Sequence, residues 1–229
     1  MKFDVIIPLR SKSKGLKNKN ILNFQKKENL TNHTLKKIIN LKSINKIYIL
    51  TDSQFYKKKI LSHKKIDKNY IRQKKHSHEN SKIQNLVFDF LQSFNKNCPK
   101  NLILLQVTSP LLSKYEISKT LNFISKKKIQ PLFHVSKVIE HPNEIIQSKN
   151  SKWKYLIKKR VTNRQNYLKE YFFITGSLFF FTKNFIFKYK NLYNEKSFAY
   201  EVDKINFVDI DDKFTYEMSQ NLKKMKNRN

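Results

Sequence analysis

Ile6-Ile7-Pro8-Leu9-Arg10-Ser11-Lys12-Ser13-Lys14-Gly15-Leu16-Lys17-Asn18-Lys19-Asn20 is the stretch from which the fold of this 229-residue chain is read. The residues before and into it, Phe3-Asp4-Val5-Ile6-Ile7, form a short apolar run of the kind that makes a buried strand. The chain breaks at Pro8 and enters a loop carrying Arg10, Lys12, Lys14, Lys17 and Lys19. A strand running into a tight loop with cations and free backbone N–H groups is a phosphate-binding arrangement. It is also what an ordinary strand followed by a solvated basic turn looks like. The loop is neither a Walker A loop, because G-x-x-x-x-G-K-[ST] is absent, nor a G-x-G-x-x-G fingerprint. Gly15 is one of only two glycines in the chain, so its position within this loop carries information.

Outward from the loop, strand and helix signals alternate. Leu35, Ile38, Ile39 and Leu41 mark a helical face over Thr31–Leu41, and Lys46–Asp52 reads as a strand ending in a carboxylate. Ile83, Leu86, Val87, Phe90 and Leu91 share one face of a helix over Ser81–Phe94. Asn101–Val107 is a second buried strand, stopped by Thr108-Ser109-Pro110. Further strands are predicted at Pro131–Val135, Gly176–Thr182 and Ile205–Ile210, and an amphipathic helix at Lys213–Lys224. Apolar strands alternating with helices predict an α/β fold with a mostly parallel sheet covered on both faces. Functional residues then collect at the C-terminal strand ends, where Arg10, Gln106, Asp209 and Asp211 fall. In Val208-Asp209-Ile210-Asp211-Asp212, alternation puts Asp209 and Asp211 on one side of an extended segment. Two carboxylates on one face suit a hard cation such as Mg²⁺; the same residues could instead begin the last helix, with Asp211 or Asp212 as its cap.

Composition bounds the class. Apolar residues at 39% and aromatics at 13% are enough for a packed core despite 28% charged residues, which argues against disorder. The length suits one α/β domain with or without an arm. Cys98 is the single cysteine, so an intrachain disulfide is excluded and a reducing cytoplasm is expected. No signal peptide is expected, because the chain opens on a strand. Tyr171–Phe181 is shorter than the roughly 20 apolar residues a membrane helix needs and is interrupted by Thr175-Gly176-Ser177, so no membrane partner is expected. The net charge of +31 invites a nucleic-acid reading. Against it, only five of the 48 basic residues are arginine, at positions 10, 72, 160, 164 and 228, and the remaining 43 lysines are spread along the chain. Recognition of phosphates and bases leans on arginine forks. Most of the charge is therefore read as solvated surface, with no nucleic-acid partner.

These motifs together resemble acylneuraminate cytidylyltransferases, the CMP-sialic acid synthetase family. Ile6–Asn20 is similar to that family's IIPARxxSKGLxxKN, and Leu104–Leu111 (LLQVTSPL) to its LLQPTSPL. Asn163-Arg164-Gln165 resembles its PRQ, Thr175–Phe179 its NGAIY, and Val208–Asp211 its IDID. The matches occur in order along nearly the whole chain, and both glycines fall inside them. KDO cytidylyltransferases begin similarly but continue with RLPGKP, which is absent here.

The resemblance implies a single domain over 1–229 with a three-layer Rossmann-like nucleotidyltransferase fold. It further implies homodimers in which an arm, at about 133–173, reaches over the neighbour's sugar site. The implied reaction joins CTP and a nonulosonic acid to give CMP-sugar and pyrophosphate, with Mg²⁺ (or Mn²⁺) as cofactor. Arg10, Lys14 and Asp211 take the catalytic roles, and Asp209 with Asp211 the metal. Leu9, Arg10, Ser11, Lys14, Gly15, Lys19 and Asn20 line the triphosphate, while Arg72, Glu79, Asn80 and Ser81 lie at the base and ribose. Gln106, Arg164, Gln165, Thr175, Gly176 and Phe179 face the sugar. The chain departs from the family pattern chiefly on the acceptor side: Thr175 replaces Asn, Phe179 replaces Tyr, and Pro142-Asn143-Glu144 stands where a lysine is often offered to the sugar. At the base, Glu79 replaces Asp. A KDO-type enzyme, a non-catalytic homologue and a polyanion-binding protein are the other readings.

Overall fold

The computed structural model describes residues 1–226 apart from 14, 26–27, 95–97, 159–162 and 168. The first strand, β1 (Phe3–Leu9), runs into the basic loop. A small hairpin of β2 (Asn23–Gln25) and β3 (Glu28–Asn29) follows and leads into α1 (Leu30–Ile38), capped by Asn29 Oδ1, which accepts from Asn32 N–H at 2.8 Å. Next come β4 (Ile44–Thr51), α2 (Gln54–Lys59), β5 (Ile66–Asp67), α3 (Ile83–Gln92) and β6 (Asn101–Leu105). α4 (Lys114–Lys127) opens with a capping box in which Ser113 and Glu116 satisfy each other's backbone N–H groups. The chain continues through β7 (Leu132–Lys137), a separate hairpin of β8 (Ile146–Lys149) and β9 (Lys152–Tyr155), β10 (Phe172–Thr182), α5 (Lys183–Tyr189), β11 (Phe198–Glu201) and α6 (Lys213–Lys226).

Seven strands form one sheet in the order β11-β7-β10-β6-β1-β4-β5. β1 pairs in parallel with β4 and β6, and β7 pairs in parallel with β11; β10 alone runs antiparallel to both its neighbours. Side-chain alternation divides the core into two layers. Phe3, Val5, Ile7, Ile103, Leu105, Leu178 and Phe180 face α1 and α4. Ile6, Leu102, Leu104, Phe179 and Phe181 face α3 and α5. Each such fully buried side chain contributes about 1.5–3 kcal/mol by leaving water. A third cluster of Phe24, Leu30, Leu111, Val208 and Ile210 seats α6 over the end of the sheet.

The α/β prediction holds, and two local readings are corrected. Ile205–Ile210 is not a strand. A 3-10 turn over Lys204–Phe207 is capped by Asp203, whose side chain accepts from Ile205 N–H at 3.0 Å. The following segment makes one backbone bond to the strand-end loop, Ile210 N–H to Thr108 O at 2.8 Å, while its apolar residues turn into the third cluster. The last parallel strand is instead β11, a short and mostly exposed edge with little sequence signal. The 133–173 stretch combines sheet ends with a separate hairpin. Its ends, 133–137 and 172–173, belong to β7 and β10 in the central sheet, and within it the exposed β8–β9 hairpin forms a sheet of its own.

Two histidines are held neutral, His134 buried in the core and His33 half-buried on α1. Burial holds His134 down to about 3, and burial together with Lys37 holds His33 down to about 4. In the unfolded chain both titrate near 6.5, so below that pH the unfolded state binds more protons than the folded one. Stability is therefore lost as pH falls from about 6.5 toward 4, at up to about 1.4 kcal/mol per pH unit for each histidine. Urea midpoints at pH 7 and pH 5 check this; equal midpoints would contradict it.

Candidate active site

The ends of β1 and β6, the basic loop, and Asp209 and Asp211 converge on one cavity of about 230 Å³. Arg10, Lys19 and Arg72 bring three cations to it, and Asp209 and Asp211 two carboxylates. Ser81, Gln106 and Thr108 add polar groups, and Pro8 and Ile83 supply its apolar part. A second cavity of about 520 Å³ adjoins it, sharing Arg10 and Ser13 and lined also by Glu79 and Asn80.

The basic loop is held from several sides. Ser11 donates both its backbone N–H and its hydroxyl to the carboxylate of Asp52, each at 2.8 Å, so neither donor faces a phosphate. Asn20, almost fully buried, donates from Nδ2 to Arg10 O at 2.9 Å and accepts at its own carbonyl from Thr31 Oγ1 at 2.7 Å. The Leu9 side chain is wholly within the core, leaving only its backbone near the loop. Ser13 Oγ is buried without a hydrogen-bond partner among the described residues. Lys14 lies outside the described residues. Gly15 meets the opposite wall: a Cβ there would lie 2.1 Å from the carbonyl oxygen of Asp211. The glycine thus permits contact between the loop and the acidic segment.

Lys19 Nζ bonds Asp211 Oδ1 at 2.8 Å, with the lysine side chain nearly covered and the aspartate largely exposed. Asp209 sits deeper. Burial pushes its pKa up and Asp211 pushes the same way, while the Thr108 and Ser109 hydroxyls and Lys19 oppose. Ser109 Oγ lies 3.5 Å from Asp209 Oδ1. Arg72 is buried too, and burial lowers its pKa to about 10, leaving it cationic at neutral pH. Its Nε and Nη2 donate to His76 O at 3.0 and 2.5 Å, and the Ser81 hydroxyl is shared between the same oxygen at 2.7 Å and His78 O at 2.5 Å.

The remaining predicted residues are placed elsewhere. Phe179 lies in the core beside α3, its ring stacked on Tyr193 at 5.8 Å, because its position in β10 faces that layer. Thr175 is buried, its hydroxyl 2.8 Å from that of Ser177. Gly176 has φ +71, a conformation strained for residues with a Cβ, at a register shift of β10. Arg164 and Gln165 sit on an exposed 3-10 turn and do not line the cavity. Asp52, Ser13, Thr108 and Ile83 are structural members of the site that the candidate set lacks. Asp52 was readable only as a carboxylate at a strand end.

A family model described as Cytidylyltransferase matches residues 5–227. Over 214 residues the chain is 27% identical to the N-acylneuraminate cytidylyltransferases of Streptococcus agalactiae serotypes V and III, covering 92% of this chain and 51% of each relative. The chain therefore spans about half the length of the curated relatives it matches. Among solved structures, a CMP:2-keto-3-deoxy-manno-octonic acid synthetase complexed with CTP superposes with a TM-score of 0.70 at 12% identity, over 99% of this chain and 100% of that one. A 4-diphosphocytidyl-2C-methyl-D-erythritol synthase from Anaerococcus prevotii gives 0.67 at 13% identity, over 97% and 96%. At these identities the superpositions establish the fold.

Proposed function

The chain belongs to the cytidylyltransferase family, and on that premise we propose that it transfers the cytidylyl group of CTP to a nonulosonic acid, releasing pyrophosphate. The observation that carries this reading is the meeting of Arg10, Lys19 and Arg72 with Asp209 and Asp211 in one cavity at the strand ends. Arg10 and Lys19 beside the carboxylate pair suit a triphosphate, with Arg72 toward the base, and the transfer chemistry depends on positioning and charge stabilisation. A sugar hydroxyl oxygen bonds to the α-phosphorus, the bond from that phosphorus to the bridging oxygen breaks, and the hydroxyl proton leaves to solvent. Arg10 and Lys19 hold phosphate oxygens, and Asn20 keeps Arg10 in place through its backbone. The Lys19–Asp211 bond must open as phosphate arrives. With Asp211 largely exposed, such a pair contributes only about 0–1 kcal/mol and yields readily.

Asp209 and Asp211 would hold Mg²⁺ (or Mn²⁺). Among the described residues no third His, Cys, Asp or Glu joins them, a donor set that fits a cation bound by two carboxylates plus substrate oxygens. When bound, the cation would neutralise phosphate charge and favour departure of pyrophosphate.

The acceptor is proposed as sialic acid or a legionaminic- or pseudaminic-type relative, with Gln106 facing it. The exposed apolar residues Ile146, Trp153, Tyr155 and Leu156 on and beside the β8–β9 hairpin support its pairing with a second copy as a homodimer. No helix among the described residues is long and apolar enough to cross a membrane, and a cytoplasmic setting is proposed.

Pyrophosphate release from CTP with Mg²⁺, against a panel of nonulosonic acids and KDO, tests the reaction. Release is expected with at least one nonulosonic acid, and with UTP or ATP the rate is expected to fall by about tenfold or more, a difference of about 1.4 kcal/mol. Turnover with KDO alone would overturn the acceptor assignment, and release with none of the sugars would overturn catalysis.

A further inference from the structure

Just outside the cavity, one carbonyl oxygen organises two of its walls. His76 O accepts from Arg72 Nε and Nη2 and shares the single Ser81 hydroxyl hydrogen with His78 O, and both Arg72 and Ser81 line the cavity. A guanidinium has five N–H groups, so two fixed on this oxygen leave three for other partners. The carbonyl ends a 3-10 turn over Lys74–His76, a short element with little hold of its own. What steadies it is the His76 ring, nearly fully buried, whose Nε2 lies 2.8 Å from Asp89 Oδ2 on α3. Although burial pushes the Asp89 carboxyl up, its bonds to Lys75 and His76 hold it below the usual carboxylate range. Asp89 is therefore an acceptor and His76 Nε2–H its donor. Two turns earlier on the same helix, Ile83 lines the cavity. α3 thus carries both an apolar wall residue and the anchor for the polar wall beside it. Pro8 and Ile83 are the apolar members of the lining, so a nucleobase fits this wall better than a phosphate does.

We propose that the His76–Asp89 pair is a positioning device for the nucleobase end of the site, acting through the His76 carbonyl on Arg72 and Ser81. The inference rests on the cavity binding CTP. Loss of the Asp89 anchor lets the turn shift, and the buried guanidinium loses its fixed acceptor.

The test is calorimetric titration of the full chain with CTP and, separately, with inorganic triphosphate. Asp89→Ala is expected to weaken CTP by about tenfold while leaving triphosphate within about twofold, because a single anchoring bond to a charged group is lost. Asp89→Asn still accepts the histidine proton and should restore CTP affinity to within about threefold of wild type. Lys75, whose exposed Nζ also bonds Asp89 at 2.5 Å, serves as the charge control: Lys75→Ala should change neither ligand by more than about twofold. In steady-state assays the Asp89→Ala loss should appear in KM for CTP, with kcat little changed. Unchanged CTP affinity in Asp89→Ala overturns the inference alone, as does equal weakening of CTP and triphosphate. A wild-type chain that binds triphosphate but not CTP overturns the functional reading and the inference with it.

Discussion

Asp211→Asn is expected to lower CTP turnover by about a hundredfold or more, equivalent to about 2.7 kcal/mol of barrier, with the fold intact. The substitution keeps the side chain's size and removes one negative charge from a position that is largely exposed and outside the core. Little packing is lost, and the Lys19–Asp211 bond contributes only about 0–1 kcal/mol to stability. Circular dichroism and the urea midpoint should therefore match wild type. What changes is the carboxylate pair: Asp209 remains, buried and held above its usual pKa, without a second charge to share a cation. Raising Mg²⁺ should recover part of the rate if the defect lies in cation affinity. Turnover within about threefold of wild type, a barrier change of about 0.6 kcal/mol, would show that Asp211 has no part in the chemistry.

Gly15→Ala is the second large effect. Its Cβ would stand 2.1 Å from the Asp211 carbonyl oxygen, and that oxygen belongs to the backbone rather than to a flexible side chain. One of the two segments must move. The basic loop is tied down at Ser11 and Asn20, on either side of the glycine, by Asp52 and by the Arg10 and Thr31 contacts. The acidic segment is tied by Ile210 N–H to Thr108 O and by its buried apolar residues. Displacement of about 1 Å at reacting groups costs on the order of a hundredfold in rate. The expected result is such a loss of turnover with weakened Mg²⁺ dependence, and a fall in the urea midpoint smaller than a core truncation gives. Wild-type turnover would mean that the loop and the acidic segment are not held in contact.

The elements legible in the sequence were those whose periodicity is enforced by burial. Phe3–Ile7 and Asn101–Val107 are mostly apolar, without strict alternation, because the strands they form, β1 and β6, are covered on both faces. The 83–92 helix shows its stripe because Leu86, Val87, Phe90 and Leu91 fill one layer. β11 escaped notice because an exposed edge strand of four residues needs no such pattern. Ile205–Ile210 misled for the opposite reason: its apolar residues are buried under a terminal helix rather than in a sheet, and apolarity reports burial, not partner.

At the site, chemistry-bearing residue types near strand ends could be read in order along the chain: Arg10, Lys19, Gln106, Asp209 and Asp211. Their residue types and approximate strand-end positions are local properties, so the sequence determines them directly. Whether a donor is available depends on what folds against it. Ser11 looked like a phosphate ligand until Asp52, 41 positions away, took both its donors. Gly15 looked like a glycine for phosphate approach, and the contact that its missing Cβ allows is with a carbonyl far along the chain. Phe179 looked sugar-facing until the antiparallel register of β10 turned it into the core. The sequence by itself determined the α/β alternation, the charged loop and the acidic pair, because periodicity and residue type act locally. Only the tertiary structure decided which of those groups share one cavity and which are already engaged, because long-range contacts and strand register determine where each side chain points.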